Sequence, residues 1–67
     1  MQATYLIQAM QDGRLDVGFT LSLFSVDGIR EIADTLGWTG CQGYALVRCP
    51  RRILCSALIE HFATESA

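Results

Sequence analysis

Leu15, Val17, Phe19, Leu21 and Leu23 recur at every second position, with Asp16, Gly18, Thr20 and Ser22 between them. This pattern constrains the fold more than any other in the chain, because side chains on an extended strand alternate sides and a period of two gathers them on one face. It predicts a half-buried strand over 15–23. The stretch TYLIQAM, residues 4–10, is rich in strand formers, and Asp12-Gly13 supplies the positive φ that a tight hairpin turn needs. A two-residue turn there pairs Met10 with Leu15 and Leu6 with Phe19, all on one side of the ribbon.

Beyond that ribbon the period changes. Val26, Ile29, Ile32, Ala33 and Leu36 share one stripe at helical spacing, and Asp27, Glu31 and Asp34 occupy the opposite one. Ser25 is placed to cap the helix N-terminus and Gly37 to follow its C-terminus. After the Gly-rich connection GWTGCQG, the run YALVRC at 44–49 reads as a third strand that Pro50 ends. Leu54, Ala57, Leu58, His61 and Phe62 then recur at helical spacing within 53–66, although 53–59 taken alone also suits a strand. The predicted order is ββαβα. It makes an α+β single domain over 1–67, with a three-stranded antiparallel or mixed sheet packed by two helices.

A chain of 67 residues holds one small core, since a domain of that size buries only about 60% of the surface its unfolded chain exposes. Hydrophobic residues nevertheless make up 51% of it and charged ones 18%, which excludes a disordered composition and leaves more apolar side chain than so small an interior hides. The surplus predicts self-association, as a homodimer, or a protein partner. The opening MQATYLIQAM has neither the basic start nor the long apolar run of a secretory signal, and no uncharged stretch approaches the roughly 18 residues of a membrane span. Three cysteines in such a chain suit a reducing compartment, so the expected location is cytoplasmic. A net charge of −2 gives no general attraction to nucleic acid, and any basic patch must come from Arg14, Arg48, Arg51 and Arg52.

The segment RCPRRILC, residues 48–55, poses the sharpest local question. Arg51 and Arg52 follow Pro50 at the start of a predicted helix, where the helix dipole disfavours positive charge unless an anion or an acidic group balances it. The balancing group is either internal, with the Asp27, Glu31, Asp34 stripe as a candidate, or a phosphate or carboxylate of a ligand held by the arginines and exposed backbone N–H groups. Cys49, beside two guanidinium groups and a helix start, is also a candidate reactive thiol, yet spacing offers no base for it. Cys41, Cys49, Cys55 and His61 have gaps of seven, five and five residues, a spacing similar to that of CCCH zinc fingers except in the last gap. A strand over 43–49 holds Cys41 and Cys49 roughly 26 Å apart, too far to share one zinc ion, so no metal site and no cofactor is expected. Catalytic motifs such as HExxH, GxSxG or a Gly-rich phosphate loop do not occur, and no catalytic residue is assigned.

Two family resemblances attach to particular segments. IREIADTLGW, residues 29–38, looks like the first helix and corner of a helix-turn-helix, which implies a recognition helix over TGCQGYALVRC with Thr39, Gln42 and Arg48 as DNA-contact candidates. Gly40 and Gly43 weaken such a helix by about 1 kcal/mol each relative to alanine. Over residues 3–48, the succession TYLI, GFTLSLFSVDGIREIADTLG and GYALV is similar to the layout of several small phage-encoded inhibitors, anti-CRISPR proteins among them. That resemblance implies a protein that blocks a surface of a larger assembly and performs no chemistry.

Together these features predict a small non-enzymatic protein-interaction module, a regulator or inhibitor of phage or mobile-element type. Trp38 and Tyr44 are its candidate aromatic anchors, with Arg48, Arg51, Arg52, Asp27, Glu31 and Asp34 setting orientation. The sheet face or an edge strand is the expected docking surface. The helix-turn-helix regulator and the CCCH-like zinc module are the alternatives.

Overall fold

The computed structural model describes residues 3–66, with side chains through residue 64. Four helices enclose the core: α1 (Ala3–Gln11), α2 (Val17–Ser22), α3 (Val26–Thr35) and α4 (Arg51–Ser66). Between α3 and α4 lie two short strands, β1 (Gly40–Cys41) and β2 (Tyr44–Ala45), and a 3₁₀ turn over Leu46–Arg48. The predicted three-stranded sheet is therefore overturned: residues 4–10 lie in α1, residues 17–22 of the expected second strand form α2, and the only sheet among the described residues is this hairpin.

The reasons lie in the turns. Asp12-Gly13 does supply positive φ, at +77° for Gly13, but as a helix terminator. Gly13 N–H donates to Met10 C=O and Arg14 N–H to Ala9 C=O, the paired bonds of a Schellman cap that close α1. A left-handed glycine serves a hairpin and a helix C-terminus equally well, so the dipeptide could not tell them apart. Gly37, at φ +91°, ends α3 the same way, with Gly37 N–H on Asp34 C=O and Trp38 N–H on Ala33 C=O. The tight hairpin instead falls at Gln42-Gly43, where φ is +54° and +85°, and Gly40 pairs with Ala45 and Cys41 with Tyr44. This hairpin also occupies the segment expected to be a recognition helix, so residues 39–49 offer no helix to a DNA groove.

Helix starts follow the side-chain caps. Asp16 Oδ2 accepts from Phe19 N–H at 2.8 Å and so opens α2, while Ser25 Oγ accepts from Gly28 N–H at 3.4 Å at the head of α3. Pro50 is no longer a strand end: its carbonyl accepts the first helical bond of α4, from Leu54 N–H. The expected α3 is confirmed in extent and in orientation, with Ile29, Ile32 and Ala33 buried and Asp27, Glu31 and Asp34 exposed. The final helix is likewise present, and residues 53–59 belong to it.

The core joins all four helices. Met10 from α1, Leu21 from α2, Ile29 and Ile32 from α3, and Leu54, Leu58 and Phe62 from α4 are almost wholly excluded from solvent, together with Cys49. Leu54, Leu58 and Phe62 stand four residues apart, so α4 presents one continuous ridge to the other helices. The accessible surface is 4242 Å², against roughly 4,200 Å² for a compact globule of this mass. The radius of gyration of 10.8 Å also agrees with the expected value of about 10.9 Å. The chain thus closes a core by itself, and its apolar surplus lies on the outside.

Candidate docking groove between α2 and α4

The apolar surplus is concentrated where the period-two pattern became a helix. At about 100° per residue, Val17 and Leu21 point to one side of α2, while Phe19 and Leu23 lie nearly 180° away with Leu15 just ahead of them. A strand-like alternation wound into a helix must produce two apolar stripes, and one core can take only one of them. Leu21 is buried and Val17 half-buried; Phe19 is 66% exposed, Leu23 68% and Leu15 36%. The pattern that misled the strand assignment is thus the origin of the surface stripe.

A groove runs beside this stripe, between α2 and α4. Gly18 carries no side chain, so the floor is open there, and a Cβ placed on it would stand 3.9 Å from the Ile59 side chain. Two depressions, of about 410 and 620 Å³, adjoin at Gly18 and Ile59, which line both, and together they make up the groove. One end is flanked by Leu15, Asp16 and Ala63, the other by Ser22, Arg51 and Arg52. Cys55 and Ser56 line the wall toward the arginines. The groove is acidic at one end, basic at the other and apolar between.

Arg51 explains part of the RCPRRILC question. Its guanidinium donates to Leu21 C=O at 3.1 Å and Ser22 C=O at 3.4 Å, thirty and twenty-nine residues away in sequence. Its charge opposes the dipole of its own helix but complements that of α2, whose C-terminal carbonyls it caps. The balancing group is therefore backbone rather than the Asp27, Glu31, Asp34 stripe. Arg52 makes no such bond and stands on the ridge between the α2–α4 groove and a third depression of about 460 Å³, walled by Gln42, Tyr44, Ser56 and Glu60. Arg48 is exposed at the end of the 3₁₀ turn.

Sequence reasoning omitted Arg30 from its basic set, yet this arginine ties α3 to the start of α4. It donates to Cys49 C=O at 3.1 Å and meets Asp27 at 3.4 Å, so Asp27 is engaged while Glu31 and Asp34 face solvent. The helical spacing of Arg30 with Asp27 was legible; the Cys49 carbonyl, nineteen residues away, was not. Trp38, a candidate anchor, is half-buried against the core, with its ring edge-on to His61 at 5.6 Å. His61 in turn meets Phe62 at 5.2 Å. Tyr44, the other anchor candidate, is 43% exposed on the hairpin.

The cysteines also depart from expectation. With 43–49 no longer a strand, the hairpin and the 3₁₀ turn fold back and bring the Cys41 thiol close to Cys49, which overturns the 26 Å separation. Burial raises the Cys41 pKa above the ordinary thiol value, and the neighbouring Cys49 raises it further. Cys49 is fully buried, and Cys55 lines the groove between α2 and α4. No cluster of three or more His, Cys, Asp or Glu side chains suited to a metal occurs among the described residues.

No protein-family model matches the chain, and no curated protein or solved structure matches it either. No helix of the described residues is long and apolar enough to cross a membrane.

Proposed function

We propose that this chain is a small non-enzymatic interaction module that docks onto protein through the outer face of α2 and the groove it forms with α4. The docking surface is helical, where the sequence pattern pointed to a sheet face or edge strand. One observation carries the reading: Phe19 and Leu23, one helical turn apart and each about two-thirds exposed, stand with exposed Leu15 and Ile59 near them, whereas Tyr5 and Val47 are exposed on other parts of the chain. Large apolar side chains grouped on a surface favour association, because covering them removes apolar area from water at about 25 cal/mol per Å². The module works by occupation, as a regulator or inhibitor would, with the charged groove ends fixing orientation.

The test is affinity capture from the native host with the immobilised chain, compared with its Phe19→Glu and Leu23→Glu variants and read by mass spectrometry. Wild type should retain a defined set of proteins, copies of itself included, that both variants lose while keeping helical circular dichroism. Retention of the same proteins by all three, or of none by wild type, refutes the reading.

A further inference from the structure

We infer that the occupant of the α2–α4 groove is the same groove of a second copy, in a two-fold symmetric dimer; this rests on the docking reading above. The first argument is charge. α2 and α4 run antiparallel, since Arg51 at the head of α4 reaches Ser22 at the end of α2, while Gly18 near the start of α2 lies by Ile59. The channel consequently has Asp16 at one end and Arg51 with Arg52 at the other. A two-fold axis perpendicular to it sets the acidic end of each copy against the basic end of its mate, and the same complementarity occurs twice. Apolar Phe19, Leu23 and Ile59 then meet around the axis.

The second argument is area. A stable interface of ordinary size covers about 800 Å² on each partner, roughly a fifth of this molecule's 4242 Å². The exposed parts of Leu15, Phe19, Leu23 and Ile59 supply roughly 400 Å² of apolar surface, and the polar groove ends supply the rest, an apolar share near that of a non-obligate interface and below that of a permanent homodimer. An isolated helix laid in the groove would cover the channel but leave the outer face of α2 in water. A second copy covers both.

Sedimentation velocity across a wide concentration range tests the assignment. Wild type should pass from monomer to dimer, and Phe19→Ser or Leu23→Ser should remain monomeric with unchanged helical circular dichroism. Tyr5→Ser and Val47→Ser, which remove apolar side chains exposed elsewhere, should dimerise like wild type. Asp16→Asn keeps a helix cap but loses the charge, and Arg52→Gln removes charge at the opposite end. Each should weaken the dimer about tenfold at low ionic strength and far less at 0.5 M salt, where screening has already removed the attraction.

Three results overturn the dimer: a monomeric wild type throughout, a dimer indifferent to Phe19 and Leu23, or assemblies that keep growing with concentration, as a head-to-tail contact would. A monomeric wild type that still captures proteins in a Phe19-dependent way refutes only the symmetric dimer. Without that capture, the docking reading fails with it.

Discussion

Replacement of Arg51 by methionine isolates what its guanidinium does, because the apolar stem is kept and only the charged head is lost. The head donates to two carbonyls at the C-terminus of α2, at 3.1 and 3.4 Å. A hydrogen bond from a charged group contributes about 1.5–3 kcal/mol, and partial exposure places this one near the lower figure. Loss of a cation from the end of α2 costs a further ~0.3–1 kcal/mol, while its removal from the start of α4 returns about the same amount, so the dipole effects cancel. The net cost of Arg51→Met is about 1–2 kcal/mol, or roughly 7–14 °C in Tm for a domain of this size. Arg52→Met is the internal control: it breaks no bond within the chain and should change stability by less than about 0.5 kcal/mol. Urea denaturation followed at 222 nm reads both. If the two variants are equally stable, Arg51 is a solvated surface charge and its capping of α2 is refuted.

Glycine positions give a second, paired prediction. At Gly40 a Cβ would collide with the Tyr44 carbonyl oxygen across the hairpin, so Gly40→Ala should lower stability by more than about 2 kcal/mol. At Gly18 the same Cβ meets only ordinary contacts, and Gly18→Ala should raise Tm slightly, by up to about 0.5 kcal/mol of stability, while weakening association by raising the groove floor. Calorimetry and sedimentation on one sample check both signs. Cys41 gives a pH dependence: its raised pKa means the folded state holds the thiol proton more tightly than the unfolded chain, so its contribution is intact below about pH 8.5 and is lost as pH rises through the higher folded value. Urea midpoints between pH 7.5 and 10 should fall more steeply for wild type than for Cys41→Ala, and equal slopes would contradict the burial of that thiol.

Much of the candidate site was written in the sequence without being readable as a site. Phe19 and Leu23 belonged to the most conspicuous pattern in the chain, yet on a strand they share a face with Leu21, and on a helix they oppose it. Arg51 and Arg52 look equivalent as neighbours; the approach of α2 gave one of them an internal role and left the other at the groove rim. The cysteine pair was separated on paper by a strand that the backbone does not make. In each case the missing information was which segment lies beside which, a quantity that local spacing does not encode.

By itself the sequence determined the elements whose local signals agree. The α3 helix had its serine cap, its single apolar stripe and its left-handed glycine all pointing to one answer, while for α4 the helical spacing of Leu54, Leu58 and Phe62 was legible but left 53–59 open to a strand until the fold decided it. It also fixed the excess of apolar residues over available interior. Tertiary structure decided the conformation of residues 3–23, where strand formers and an ambiguous Asp12-Gly13 fitted two folds. Packing of Ile7, Met10 and Leu21 onto α3 and α4 favoured the helical one. The physical reason is that propensity differences amount to a few tenths of a kcal/mol per residue, whereas burying one large apolar side chain contributes about 1.5–3 kcal/mol. That same packing turned half of an alternating pattern outward and made the surface on which the function of this chain is proposed to rest.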